Sequence, residues 1–157
     1  MRDAAGWGLA SVVGLGVALI LAGSCAAQSG YSWFADKGGR AASFGIPGQA
    51  TSLVRITCSP RRGLTLVTPL AVELRDGQRP RLELNSSFGR SSKPAEILDL
   101  ADGAYLAVPL KIGDGFLTSL SKGQSVSLGQ SGQQLDLPGS GASAAVGKVL
   151  KACRTRT

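Results

Sequence analysis

Between Ala4 and Ala35 the chain carries no charged side chain, and from Leu9 to Ala22 it is almost wholly apolar. A run of that kind needs a membrane or a core around it, so it sets the frame for everything downstream. A short basic start (Arg2, offset by Asp3) precedes it, and small residues close it: Gly23, Ser24, Cys25, Ala26 and Ala27. A charged start, an apolar middle and a small-residue end form the pattern of a secretory signal peptide.

Three fates of this leader stay open on the residues alone. Ser24-Cys25-Ala26 and Cys25-Ala26-Ala27 both offer a small-x-small cleavage site, which makes residues 1–27 a removable signal. Leu21-Ala22-Gly23-Ser24-Cys25 is similar to a bacterial lipobox with its Leu one place further upstream, so a lipoprotein signal ending at residue 24 would leave Cys25 lipidated. Retained, the run approaches the roughly 20 apolar residues a membrane span needs. In each case residues 28–157 are expected to form one globular domain, in the periplasm or cell envelope, either free or membrane-anchored.

An exported domain meets an oxidising compartment, and two cysteines remain beyond the leader, Cys58 and Cys153. An even count there favours a disulfide. Ser52 to Cys58 alternates, placing Val54, Ile56 and Cys58 on one face and Leu53, Arg55 and Thr57 on the other. Near the other end, Val146, Val149, Leu150 and Cys153 recur at helical spacing over about Ala142 to Cys153, an apolar stripe with Ser140 or Ser143 as its cap. Both cysteines therefore face the core. A bridge between them would pin the terminal helix to the sheet; the bland alternative is two separate buried thiols.

The rest of the pattern predicts mostly β structure. Tyr31 to Phe34 and Ala41 to Phe44 read as a hairpin around Asp36-Lys37-Gly38-Gly39. Leu64 to Val67 forms the next strand, interrupted at Thr68-Pro69. Leu70 to Arg75 and Arg79 to Asn85 alternate about Asp76-Gly77, the firmest hairpin signal in the chain. Asn85 to Pro94 is polar and predicts a loop. Ala95 to Leu98 and Ala104 to Leu110 are strands around Asp102-Gly103. Asp114 to Lys122 predicts a short helix with Phe116, Leu117 and Leu120 on one face and Gly123 just past its end. Gln124 to Leu128 and Gln133 to Leu137 predict a last hairpin, whose buried face is Val126, Leu128, Leu135 and Leu137. The fold class expected is mainly β with some α: an antiparallel, sandwich-like domain with one internal and one C-terminal helix.

Composition narrows the chemistry. The chain holds no His, which removes Ser-His-Asp and Cys-His catalysis and the commonest metal ligand. Without Cys-x-x-Cys spacing, zinc is a poor fit, and no metal or cofactor is expected. Ser119-Leu120-Ser121-Lys122 has the spacing of a Ser-x-x-Lys nucleophile but lacks its Ser-Asp-Asn and Lys-Thr-Gly partners. Asp102 is accounted for by its turn, with no calcium-loop spacing around Asp99. Gly139-Ser140-Gly141 before a helix fits a cap better than an anion cradle. The chain has 17 Lys+Arg against 10 Asp+Glu, and the excess is concentrated in residues 55–93. Arg55, Arg61, Arg62, Arg75, Arg79 and Arg81 make the candidate surface for an anionic partner. Aromatic residues are nearly absent among them, which disfavours base stacking, and export disfavours nucleic acid altogether.

Four short stretches carry a family resemblance: Ala42-Ser43-Phe44-Gly45, Leu53-Val54-Arg55-Ile56-Thr57-Cys58, Gly103-Ala104-Tyr105-Leu106-Ala107, and Ala144-Ala145-Val146 leading to Cys153. In their order the chain resembles small exported domains of α-proteobacteria and, more distantly, the invasion-associated locus B family. The resemblance covers most of residues 40–153 and implies a β-rich periplasmic or surface domain without established catalysis; it transfers no active-site residue. The expected function is a non-enzymatic cell-envelope protein that binds an envelope protein or serves a structural role. Two rivals are a lipoprotein holding an anionic envelope polymer on its Arg-rich face and a hydrolase or transferase working without His.

Overall fold

Alternation in the sequence becomes layers in the structure. The computed structural model describes residues 30–71, 74 and 77–155; the stretch expected to be a leader, with Cys25, and Arg75 lie outside these. Strands β1 (Ser32–Ala35), β2 (Ala41–Gly45), β3 (Ser52–Ser59), β4 (Gly63–Pro69), β7 (Glu96–Leu100) and β8 (Gly103–Leu110) form one antiparallel sheet in the order β1-β2-β3-β4-β8-β7. β5 (Arg81–Ser86), β6 (Gly89–Pro94), β9 (Val126–Gln130) and β10 (Gln133–Leu137) form a second, in the order β10-β9-β5-β6. Two helices complete the fold, α1 (Gly115–Ser121) and α2 (Ala142–Arg154).

Register shows why these sequences choose these partners. Ala35, Ala42, Ile56, Leu66 and Val108 stand opposite one another in successive strands, a continuous apolar row across the large sheet. Leu84, Leu128 and Leu135 make the corresponding row in the small sheet. The inward residues of both sheets join in one buried cluster with Phe116, Leu117 and Leu120 of α1 and Val146 and Val149 of α2. α2 lies on β1, β2 and β3, and α1 bridges α2 to β5 and β9. Trp33 ties the two ends of the chain together, its indole N–H donating to the Pro138 carbonyl at 2.8 Å. Cys58 and Cys153 are joined in a disulfide, which fixes the last turn of α2 to β3.

Four expectations need correction. β4 continues through Thr68 and Pro69, because Leu106 and Tyr105 stand opposite them and hold the strand. The hairpin expected about Asp76-Gly77 is not how β5 is paired: its partners on either side are β6 and β9, and residues 72, 73, 75 and 76 of the expected hairpin lie outside the described residues. Residues 85–94 are not a loop. β5 and β6 form a tight hairpin through Ser87 and Phe88, with Gly89 at φ 110°. Finally, α2 has no serine cap; its N-cap is Gly141 in the left-handed region at φ 78°, a conformation that a residue with a side chain rarely adopts.

β6 runs into β7 with only Ala95 between them. The N–H of Ala95 still donates to the Pro80 carbonyl beside β5, while the next residue, Glu96, is already opposite Ala107 of β8. One bent stretch of chain thus turns the corner from the small sheet to the large one.

Candidate functional site

A cleft of about 250 Å³ opens between the two sheets. Leu53 and Pro69 line it from the large sheet, and Leu82, Leu128 and Leu135 from the small one. Leu53 was expected on the outward face. It lies just past the register shift between Phe44 and Gly45, and it packs against the core; irregularities of this kind re-aim side chains at sheet edges.

The polar atoms at the mouth are consumed by the protein itself. The Thr68 hydroxyl donates to the Leu53 carbonyl at 2.9 Å. Gln130, 8% exposed, accepts from the Ala71 N–H at 2.7 Å and donates to the Pro69 carbonyl at 3.2 Å. Its carboxamide does the work of a strand partner for the chain leaving β4, and so keeps the lip of the cleft in place. Among the described residues no buried side-chain nitrogen or oxygen lacks a hydrogen bond. What remains for a guest is a mainly apolar wall with the exposed Gln133 and Gln134 along one side.

A second hollow of about 200 Å³ shares Gly129 and Gln130 with the first and is lined by Arg79, Arg81, Glu83 and Ser92. Arg81 is committed to the small sheet: Nε donates to the Ser92 hydroxyl at 2.9 Å and Nη2 to the Ser92 carbonyl at 2.8 Å. Arg55 projects from the outer face of the large sheet, in a row with Ser43 and Val67. Arg61 and Arg62 occupy the turn between β3 and β4. Of the arginines singled out in the sequence, those described are therefore spread over the large sheet, the turn between β3 and β4, and the start of the small sheet, while Arg75 lies outside the described residues.

Ser119, the first residue of the Ser-x-x-Lys spacing, is fully buried and shares a 2.9 Å hydrogen bond with the Ser87 hydroxyl. Lys122 points elsewhere, with its ammonium 5.3 Å from the centre of the Phe88 ring. Asp102 accepts from the Tyr105 hydroxyl at 2.8 Å, and this hydrogen bond, more than burial or charge, raises the Tyr105 pKa above its usual 10.0. Asp114, by contrast, caps α1 and pairs with Lys93 at 2.6 Å.

Comparison with protein-family models, with curated proteins and with solved structures finds no match. The function is therefore argued from the site itself. Two of its residues, Gln130 and Pro69, carry no sequence signal for their role: a Gln beside a Gly-rich turn and a Pro after a strand look like ordinary punctuation.

Proposed function

We propose that this chain is an exported, non-enzymatic cell-envelope domain that binds a partner by taking one apolar group into the cleft between its sheets. The observation that carries this reading is an open, mainly apolar cleft whose buried polar atoms are already satisfied, in a fold closed by a disulfide. The disulfide points to a non-cytoplasmic location, since such bonds persist in oxidising compartments. No helix among the described residues is long and apolar enough to cross a membrane. The leader pattern and the resemblance to small exported α-proteobacterial domains narrow the location to the periplasm or envelope.

The cleft is smaller than the roughly 300–1,000 Å³ of sites that enclose whole ligands. It is larger than the roughly 150 Å³ apolar cavity that admits benzene. A guest of that size is a single aromatic ring or a branched aliphatic side chain, presented by something larger that stays outside. The buried position of Ser119 weighs against the hydrolase alternative.

A photo-reactive residue in place of Gln133, at the cleft wall, tests this in whole cells. The expected result is one discrete crosslinked species that disappears when Leu135→Arg fills the mouth with charge. Fractionation with mass measurement of the N-terminus is run in parallel. Cytoplasmic recovery with free thiols, or crosslinking indifferent to Leu135→Arg, would overturn the reading.

A further inference from the structure

Phe88 is the most exposed large apolar side chain among the described residues, at 60%. Its exposure is built rather than incidental. It sits at the tip of the β5–β6 hairpin, where the Ser86 hydroxyl accepts from the Phe88 N–H at 3.3 Å and donates to the Gly89 carbonyl at 3.4 Å. Beside it, the Ser87 hydroxyl donates to Gln124 Oε1 at 2.8 Å and is anchored to the fully buried Ser119 hydroxyl. The tip is thus bolted to α1. Gly115, the first residue of α1, completes the seat: a Cβ there would lie 2.9 Å from the Cβ of Phe88. Leu84 and Phe116, both nearly or fully buried, line the same hollow as the ring.

Two cations stand beside this ring, Lys122 and Arg90. Lys122 lies over its face. Ile112, 39% exposed, and the exposed Lys111 stand in the loop leading to Gly113 and Gly115, which line the same hollow as Phe88. Arg90 borders that hollow, held by the Asn85 carbonyl oxygen at 2.9 Å and with the Glu83 carboxylate 3.9 Å away. Across residues 86–93 and 111–124 the cations are Arg90, Lys93, Lys111 and Lys122 and the only carboxylate is Asp114. Asp114 is already neutralised by Lys93 and its side chain is 10% exposed. A fixed apolar tip flanked by the Lys122 ammonium and the Arg90 guanidinium matches a surface that is apolar within and negative at its rim, which is the layering of an anionic lipid interface.

We propose that the β5–β6 tip, with Phe88 at its apex, Lys122 and Arg90 beside it and Lys111 in the loop before α1, docks the protein onto an anionic bilayer surface. A planar interface asks for no register or fork-shaped hydrogen bonding, and the patch offers none; it offers depth at one point and charge around it. The docking surface is separate from the cleft, so a docked molecule still has its cleft open. The proposal rests on the export reading.

The test uses the oxidised protein recovered from cells and vesicles containing about a third phosphatidylglycerol, with pure phosphatidylcholine vesicles as the counterpart. Co-sedimentation is expected on the anionic vesicles, weakening as salt rises. Phe88→Ala should lower the partition coefficient about tenfold with an unchanged melting temperature, since the ring is mostly in water. Lys122→Gln should lower it about fivefold, and the Arg61/Arg62 double glutamine variant, at a turn remote in sequence from the tip, should bind like the parent. The emission of Phe88→Trp should shift to the blue on anionic vesicles. Equal binding to phosphatidylcholine, a Phe88→Ala variant that binds as the parent does, or unmoved Phe88→Trp emission in bound protein would overturn the proposal. If vesicle binding fails while fractionation still finds the protein exported, the export reading survives and the docking surface does not.

Discussion

The disulfide is the strongest single lever on this fold, and its size can be worked out. Cys58 and Cys153 are 95 residues apart. Closing a loop of that length in the unfolded chain removes entropy equivalent to about 4.7 kcal/mol at 25 °C in the chain-entropy model. Domains of this size are stable by only about 5–15 kcal/mol, so the bridge is a third of the total or more. Urea unfolding of the oxidised protein and of a Cys58→Ala/Cys153→Ala variant should differ by about 3–5 kcal/mol. The melting temperature should fall by on the order of 15 °C. The loss should also be local. The N-terminal part of α2 is held by Ala142, Ala145 and Val146 in the core and by the Trp33–Pro138 hydrogen bond beside it, whereas Cys153 anchors the last turn. Beyond the drop in protection shared by all core amides, Val146 included, hydrogen exchange in the variant should speed up most from about Leu150 onward. A stability difference below about 1 kcal/mol would refute the loop-closure reasoning, and an unchanged thiol count on reducing the denatured protein would refute the bridge itself.

Two glycines should respond with opposite signs to the same substitution. A Cβ at the buried Gly139 would collide with the carbonyl of Gly123, backbone against backbone, so Gly139→Ala should cost about 3 kcal/mol in denaturant unfolding. Gly147, inside α2 with no atom near the position of a Cβ, should gain about 1 kcal/mol on becoming Ala. Asp114→Ala removes both the cap on the Phe116 N–H and the partner of Lys93, and should cost about 2 kcal/mol by the same measurement. Tyr105 titrates above its usual 10.0 because its neutral hydroxyl donates to Asp102. The stabilisation is therefore complete below pH 10 and is lost as pH rises through the raised value; Asp102→Ala should bring the midpoint, read by ultraviolet absorbance, back down.

Those elements that bury one face were legible in the chain. Val54, Ile56 and Cys58 had to share a side, as did Ala104, Leu106, Val108 and Leu110, and the stripe through Val146, Val149 and Cys153 placed α2 and with it the disulfide. Alternation says that a segment is extended with one side inward; it does not say beside which strand. That is why residues 70–75 were paired with 79–85 across Asp76-Gly77, when β5 takes its neighbours from chain more than forty residues away in β9 as well as from β6. β6 was missed for the opposite reason. Its sequence, GRSSKP, has no apolar face at all, because the side of it that follows Leu82 and Leu84 ends in Ser91 and Lys93. Lys93 can face that way because Asp114 at the start of α1 receives its ammonium.

The same failure of pattern marks the part of the molecule where function is most readily placed. Disulfide, Trp33 anchor and α2 close one flank of the sandwich with apolar contacts that periodicity announces. At the cleft and the β5–β6 tip, single residues act through tertiary position: Gln130 holds the crossing chain, Gly115 makes room for Phe88, and Ser119 ties down the turn that carries it. Packing there has been given up on purpose in a limited sense, since an exposed Phe and an unfilled apolar cleft both cost stability that burial would return. A chain with about a third of its stability in one covalent bridge can carry those costs without losing its fold. It follows that the bridge-free variant should be the background in which Leu135→Arg and Phe88→Ala differ most clearly: with the margin gone, any part either residue plays in the fold will show as unfolding, and a residue that serves only binding will leave the melting temperature where it was.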